Sequence, residues 1–332
     1  MNIIQWPTGF QLVPDEAWAQ QALEELAMKY DTVEEHGWYD NLDSTVEQLI
    51  HNYNSESVIL DYSGGTGILT DRLMRAATGN APNVLIVDSS PKFLRLALEK
   101  LKDNPKVAYR LIRYLRSKKR LQSLKEVIDP VLYQKGIDAV VSTNAIHLYY
   151  GLSDTLGSWN DILCDGGRIL VQSGNIRNPD APQNSWIIDE TVEHIHRAVI
   201  DIVKDNPQYD TLKGLLANTD YMTAHDRLRQ KYFLPVRDLE YYTHCISEAG
   251  FTLESVTLQT IEARVDQWYS FLEVYHEGVL GWVGGAEKIT KSKASQDMVN
   301  LRKELMWKGM QQIFSGKDTF DAVWTYITAR KA

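Results

Sequence analysis

Between residues 56 and 174, short unbroken apolar runs alternate with helical stretches, and this rhythm limits the fold more than any other feature. SVILDY (57–62), NVLIVD (83–88), VAYRLIRY (107–114), IDAVVS (137–142) and GGRILVQSG (166–174) read as strands. Continuous apolarity, unlike strict alternation, implies burial on both faces, as in a parallel sheet covered by helices. ILTDRLMRAAT, PKFLRLALEKLK with Pro91 in its first turn, and LSDTLGSWNDILC carry helical spacing between those runs. The expected fold is α/β, a mostly parallel sheet with helices on both faces.

Around this core the pattern changes. Residues 14–52 read as helical, through Ala17, Ala19, Leu23, Leu26, Ala27 and Tyr30, then Val46, Leu49 and Ile50 after a break at His36-Gly37. After the fifth strand, NIRNPDAPQNS is loop-like, and helical segments follow at 187–205, 211–218 and 221–232. The alternation resumes with RDLEYYTHCISEAGF, a helix ending at Gly250, and the strand TLESVTLQTIE. FDAVWTYITARK (320–331) is a last strand. The expected organisation is an N-terminal helical lid (1–55), a core (56–174) and a helical cap insertion (175–236). The core continues at 237–262, a second helical insertion covers 263–315, and the final strand lies in 316–332.

The densest chemical signal is D-Y-S-G-G-T-G at 61–67, where the first strand passes into a helix, with Asp88 ending the next strand. Glycine allows positive φ and lets a ligand lie against the backbone. Gly64, Gly65 and Gly67 stand at a carboxyl strand end, where open α/β sheets bind ligands. The Asp88 carboxylate offers two acceptor oxygens to vicinal ribose hydroxyls, with Ser89 beside it. A dinucleotide fingerprint would require glycine at position 70, which is Thr70, and no phosphate-cradling G-K-[ST] is present. Asp61 would oppose a pyrophosphate but suits a cationic ligand group.

With these residues the chain resembles the class I S-adenosylmethionine (SAM)-dependent methyltransferases, whose turn follows D/E-x-G-x-G-x-G. Asp61, Gly65 and Gly67 match, and Ser63 stands where the first glycine is expected. DAVVSTNAIHLYYG (138–151), DGGRILVQSG (165–174), EAGFTLESVTL (248–258) and the terminal strand are similar, in order, to the family's fourth to seventh strands, the last antiparallel. The resemblance implies a seven-stranded Rossmann-like core and SAM as cofactor, held by Asp61, Ser63, Gly64, Gly65, Gly67, Asp88, Ser89 and Asn144. It also implies an acid after the third strand to meet adenine. RLIRYLRSKKRLQSLKEV offers none before Glu126, so either apolar and backbone contacts hold adenine or that strand lies elsewhere.

Asn144 and His147 follow the fourth strand at the edge of the turn and should face the methyl, with His147 the candidate general base or a loop histidine bonded to backbone. Glu190 and His194 are spaced to pair, and His194 and His196 point to different helix faces, so no metal site is expected. Cap aromatics such as Trp186, Tyr221, Trp268 and Trp282 read as core ahead of pocket lining, with Gly281, Gly284 and Gly285 able to permit lid movement. W-Y-S-F-L…G-W-V-G-G in the second insertion is similar to small-molecule methyltransferases, including those acting on carboxylates.

The net charge of −9, from 44 acidic and 35 basic residues, argues against nucleic acid as partner. The run Lys118-Lys119-Arg120 reads as a solvated helix face. Residues 298–314 form an amphipathic helix, either core or a dimer contact. Cys164 and Cys245 read as buried thiols. No apolar run approaches the roughly 18–20 residues of a membrane span, and the N-terminus lacks a secretory pattern, so the cytoplasm is the expected compartment. The expected activity is methyl transfer to a small-molecule acceptor. The alternatives are a SAM-binding module without transfer, a protein or RNA methyltransferase, and an NAD-dependent oxidoreductase that Thr70 disfavours.

Overall fold

The computed structural model describes residues 6–24, 28, 31–77 and 79–332, the side chain of Val33 excepted. Its main sheet contains β1 (Val58–Tyr62), β2 (Asn83–Asp88), β3 (Val107–Leu111) and β4 (Ile137–Thr143). It is completed by β5 (Leu163–Ser173), β6 (Phe251–Arg264) and β7 (Thr319–Lys331). The spatial order is β6-β7-β5-β4-β1-β2-β3. The pairs from β3 across to β5 are parallel, and β7 runs antiparallel to both β5 and β6. The seven-stranded sheet and its reversed last strand are those the sequence implied. From β1 the chain steps outward to β2 and β3, then returns to β4 on the other side. That reversal leaves a crevice beyond the carboxyl ends of β1 and β4.

The helices that matter are α1 (Asp43–Asn52), α2 (Ile68–Ala76), α3 (Pro91–Leu101), α4 (Leu152–Ile162), α5 (Glu190–Asp205), α6 (Thr219–Tyr232), α7 (Leu239–Glu248), α8 (Val265–Val274) and α9 (Gln296–Ile313). Every residue of β1 and β2 is buried, and their side chains divide with period two. Ile59, Val84 and Ile86 pack with α1, α2 and α3, whereas Val58, Leu60, Leu85 and Val87 pack with α4 and α7. Cys245 belongs to this second face, while Cys164 is only half-buried. The first core runs on into the cap through Val192, Ile195 and Val199 of α5 and Leu305, Met306 and Met310 of α9.

The two insertions thus pack on each other, α9 serving as core. Trp268 of α8 donates to Thr191 Oγ1 of α5 at 2.8 Å. Ile176–Arg177 and Arg237–Asp238 pair in parallel and close the base of the first insertion. Arg302 of α9 is fully buried, donating to the carbonyls of Val283 and Gly285. Trp268 and Trp282 are core side chains. Gly281 and Gly284 lie where a Cβ would strike Glu277 O and Met298 Cβ, so both serve close packing. Among the described residues no helix is long and apolar enough to cross a membrane.

The N-terminal stretch departs from the expected helix. Ala17–Gln20 form a single 3-10 turn, after which Gln21 is extended (φ −70°, ψ 153°). Trp18 is buried, but Ala17, Gln20 and Leu23 are exposed, so no apolar stripe sustains a helix. The turn is instead pinned to α3, where Arg95 Nε donates to Gln21 O at 2.9 Å. Leu26, Ala27 and Tyr30 lie outside the described residues. The basic run also differs: it forms a hairpin of Tyr114–Leu115 with Arg120–Leu121, not a helix face, and Arg120 pairs with Glu126.

Candidate functional site

The turn leaving β1 is pinned to β2, since Ser63 N and Gly64 N both donate to Val87 O, at 2.7 and 3.3 Å. Ser63, Gly65 and Gly67 all have positive φ, of 62°, 58° and 77°. Gly64 folds back over Asp61 so closely that a Cβ would sit 2.9 Å from Asp61 Cγ and Oδ2 and from Ile86 Cγ2. Gly64→Ala is expected to lower stability by about 1–3 kcal/mol through this overlap, which chemical denaturation would measure. An unchanged midpoint would show that the turn relaxes freely.

Asp61 is 1% exposed. Its Oδ2 accepts from Thr70 Oγ1 at 2.7 Å, while Oδ1 has no partner. Burial pushes this carboxyl up to about 7, the Thr70 bond opposing and the Asp88 charge adding to the rise. Thr70, singled out in the sequence for not being glycine, is therefore the partner of Asp61. Asp88 Oδ2 accepts from Gly65 N at 2.9 Å and Oδ1 from Ser90 N at 2.7 Å. Burial raises the Asp88 carboxyl, and the backbone bonds of Ser90, Gly65 and Ser89 oppose it. Two acceptors with about four lone-pair sites leave it capacity for a ligand. Ser90 also caps α3, accepting from Phe93 N at 3.3 Å.

A cavity of about 310 Å³ opens beyond these strand ends. Its lining includes Ser63 to Thr66, Asp88 to Ser90, Asn144 and Tyr149, with Tyr39 and Leu42 contributed from before α1. Beyond Asp88 the wall is apolar, made by Phe93, Ile112, Leu121 and Leu148. Glu126 is not part of it, being bonded to Arg120 and to Ser123 N. Of the candidates, Ser63, Gly64, Gly65, Asp88, Ser89 and Asn144 come together on this wall, whereas Asp61 lies behind Gly64. Gly67 is outside the lining and packs on Ala97 and Leu101 of α3. A larger groove of about 970 Å³ near Glu34, Asp71, Arg72 and Arg75 is away from the strand ends. Both of its arginines are paired, Arg75 with Glu34 and Asp71, and Arg72 with Asp43.

At the β4 end, Asn144 adopts φ 52°, its N–H reaching Gln172 O and Oε1 at 2.8 and 3.0 Å. Its Oδ1 accepts from Trp324 Nε1 of β7 at 3.0 Å. His147 does not reach the cavity wall. Its Nδ1 meets Ser173 Oγ and its Nε2 meets Asn175 Nδ2, both at 3.1 Å. Asn175 Oδ1 accepts from Asp189 N, so the Asn175 amide donates to Nε2, and His147 is the Nδ1–H tautomer. Burial lowers His147 to about 4 and raises the nearby Asp189 carboxyl to about 7. Elsewhere, Glu190 pairs with Arg177, and His194 lies edge-on to Trp186 at 5.2 Å. Tyr149, Phe93 and the Leu121 hairpin were missed from the sequence, since none carries a motif, and Thr70 was read only as a missing glycine.

No protein-family model matches the chain. No curated protein matches it. Among solved structures, YcgJ protein from Bacillus subtilis is similar at 12% identity over 88% of this chain and 98% of that one, with a TM-score of 0.49. Phosphoethanolamine N-methyltransferase 2 from Haemonchus contortus, solved with S-adenosylhomocysteine, is 15% identical over 92% of this chain and 56% of that one, TM-score 0.47. Geranyl diphosphate C-methyltransferase from Streptomyces coelicolor A3(2) is 11% identical over 87% and 79%, TM-score 0.44. Strand order and direction define the fold.

Proposed function

We propose that the chain is a SAM-dependent methyltransferase acting on a small-molecule acceptor, and that the cavity at the β1 turn takes the cofactor. The observation that carries this reading is the unpartnered Oδ1 of the buried Asp61, whose carboxyl lies against Gly64 of the cavity wall with no Cβ between. A buried carboxylate oxygen calls for a cationic partner, and SAM brings an ammonium and a sulfonium. Among the described residues no Lys or Arg lines the cavity, so a pyrophosphate would meet Asp88 without a cation, which disfavours a dinucleotide.

In this reading Asp88 takes the ribose hydroxyls with Ser89 beside it, and Phe93, Ile112 and Leu121 cover adenine without an acid. Ser63, Gly64, Gly65 and Asn144 border the sulfur end, while Gly67 shapes the turn. When bound, SAM supplies an electrophilic methyl carbon. The chain's part is to align the acceptor and exclude water. The acceptor belongs on the β4–β5 side, where Asn144 meets Trp324 and the cap begins. His147, held neutral and bonded at both nitrogens, is a weak base and fixes the segment after β4.

Calorimetric titration with SAM, S-adenosylhomocysteine and NAD tests this. Binding of the first two but not NAD is expected. NAD binding, or no heat with either sulfur nucleoside, would overturn the reading.

A further inference from the structure

We infer that Ser142, Tyr149 and Ser63 form a directed hydroxyl relay whose last proton is offered to the carboxylate at the amino-acid end of the cofactor. The inference rests on the cofactor reading above and adds a recognition element to it.

Direction follows from counting protons. Tyr149 has one hydroxyl hydrogen, and it goes to Ser63 Oγ at 2.9 Å. The 2.9 Å contact between Ser142 Oγ and Tyr149 Oη is then donated by Ser142, which is fully buried. Ser63 Oγ, already accepting, keeps its own proton to give, and Ser63 lines the cavity. Burial holds the Tyr149 hydroxyl well above the usual phenol range, so it remains a donor at working pH. Tyr62 and Trp159 hold its ring edge-on, at 5.6 and 6.0 Å. Each donor in such a chain polarises the next.

The position identifies the ligand group. The Ser63 side chain meets Tyr149 from the segment after β4, and Asp88 ends β2 on the other side of β1. A nucleoside with its ribose on Asp88 crosses Gly64 and Gly65 and ends at Ser63. There the ammonium falls to Asp61, which leaves the carboxylate for the relay. Among the described residues no Lys or Arg lines the cavity, so hydroxyl and amide donors are what that anion can meet. Ser63 also holds φ 62°, strained for a residue with a Cβ, at the position where the family pattern has glycine.

The test compares S-adenosylhomocysteine with its decarboxylated analogue, which keeps the ammonium and lacks only the carboxylate. Tyr149→Phe and Ser63→Gly should each weaken S-adenosylhomocysteine binding about tenfold, leaving the analogue within about twofold. Ser63→Gly should at the same time hold or raise the melting temperature, because it relieves the positive φ. Equal losses for both ligands, or no loss for either, would overturn the relay while leaving the cofactor reading intact. Failure of the unmutated protein to bind either ligand would remove both.

Discussion

Asp88→Ala is expected to weaken S-adenosylhomocysteine binding by at least about a hundredfold, since two bonds to a charged acceptor are worth about 3 kcal/mol together. The same change strips the acceptor from Gly65 N and Ser90 N. Folded stability should therefore fall as well, by about 1 kcal/mol for each of these bonds lost. Titrations belong at a temperature where circular dichroism shows the variant folded. Unchanged affinity would mean that the carboxylate serves only the turn and the start of α3.

The second large effect is on pH. Burial keeps a proton on Asp61 up to about 7, whereas the unfolded chain releases it near 3.8. Between those values the folded state binds the extra proton. The ligand-free protein thus loses stability as pH rises through that window, then stays at the lower level. A ligand ammonium favours the ionised carboxylate, so below about 7 binding must expel the proton. Affinity for S-adenosylhomocysteine should tighten with rising pH and level off above about 7. One unit below that midpoint it should be about tenfold weaker than on the plateau. Asp88 and Asp189 are raised in the same direction, so their contributions must be subtracted by comparison with Asp61→Asn. That variant should bind weakly and lose the part of the slope that Asp61 supplies. A slope undiminished in Asp61→Asn would assign the proton to another group.

The strands were legible because β1, β2 and β4 are buried from both sides, and burial of that kind leaves unbroken apolar runs. The turn was legible because its backbone demands glycine at fixed places. What escaped notice depends on partners distant in sequence. Trp18 is the one buried side chain of the N-terminal turn, and a single buried indole leaves no periodicity to read. Tyr149 meets Ser63 just after the 3-10 turn of Ile146–Leu148, which periodicity placed no differently from loop. His147 stands three residues after Asn144, yet that same turn carries its ring toward Ser173 and Asn175. Titratability alone could not distinguish a wall residue from a bracing one.

The place of β7 has a consequence for how the chain is made. It is the last strand in sequence, yet it lies between β5 and β6. Until it is synthesised, β5 presents an unpaired edge and β6 has no strand to join. Both helical insertions emerge from the ribosome before that vacancy is filled. The half of the sheet from β1 to β3 can form early from neighbouring segments, but closure of the sheet waits on a contact of long sequence separation. Newly made chains therefore pass through a stage with an open, sticky strand edge, when a chaperone's protection counts most.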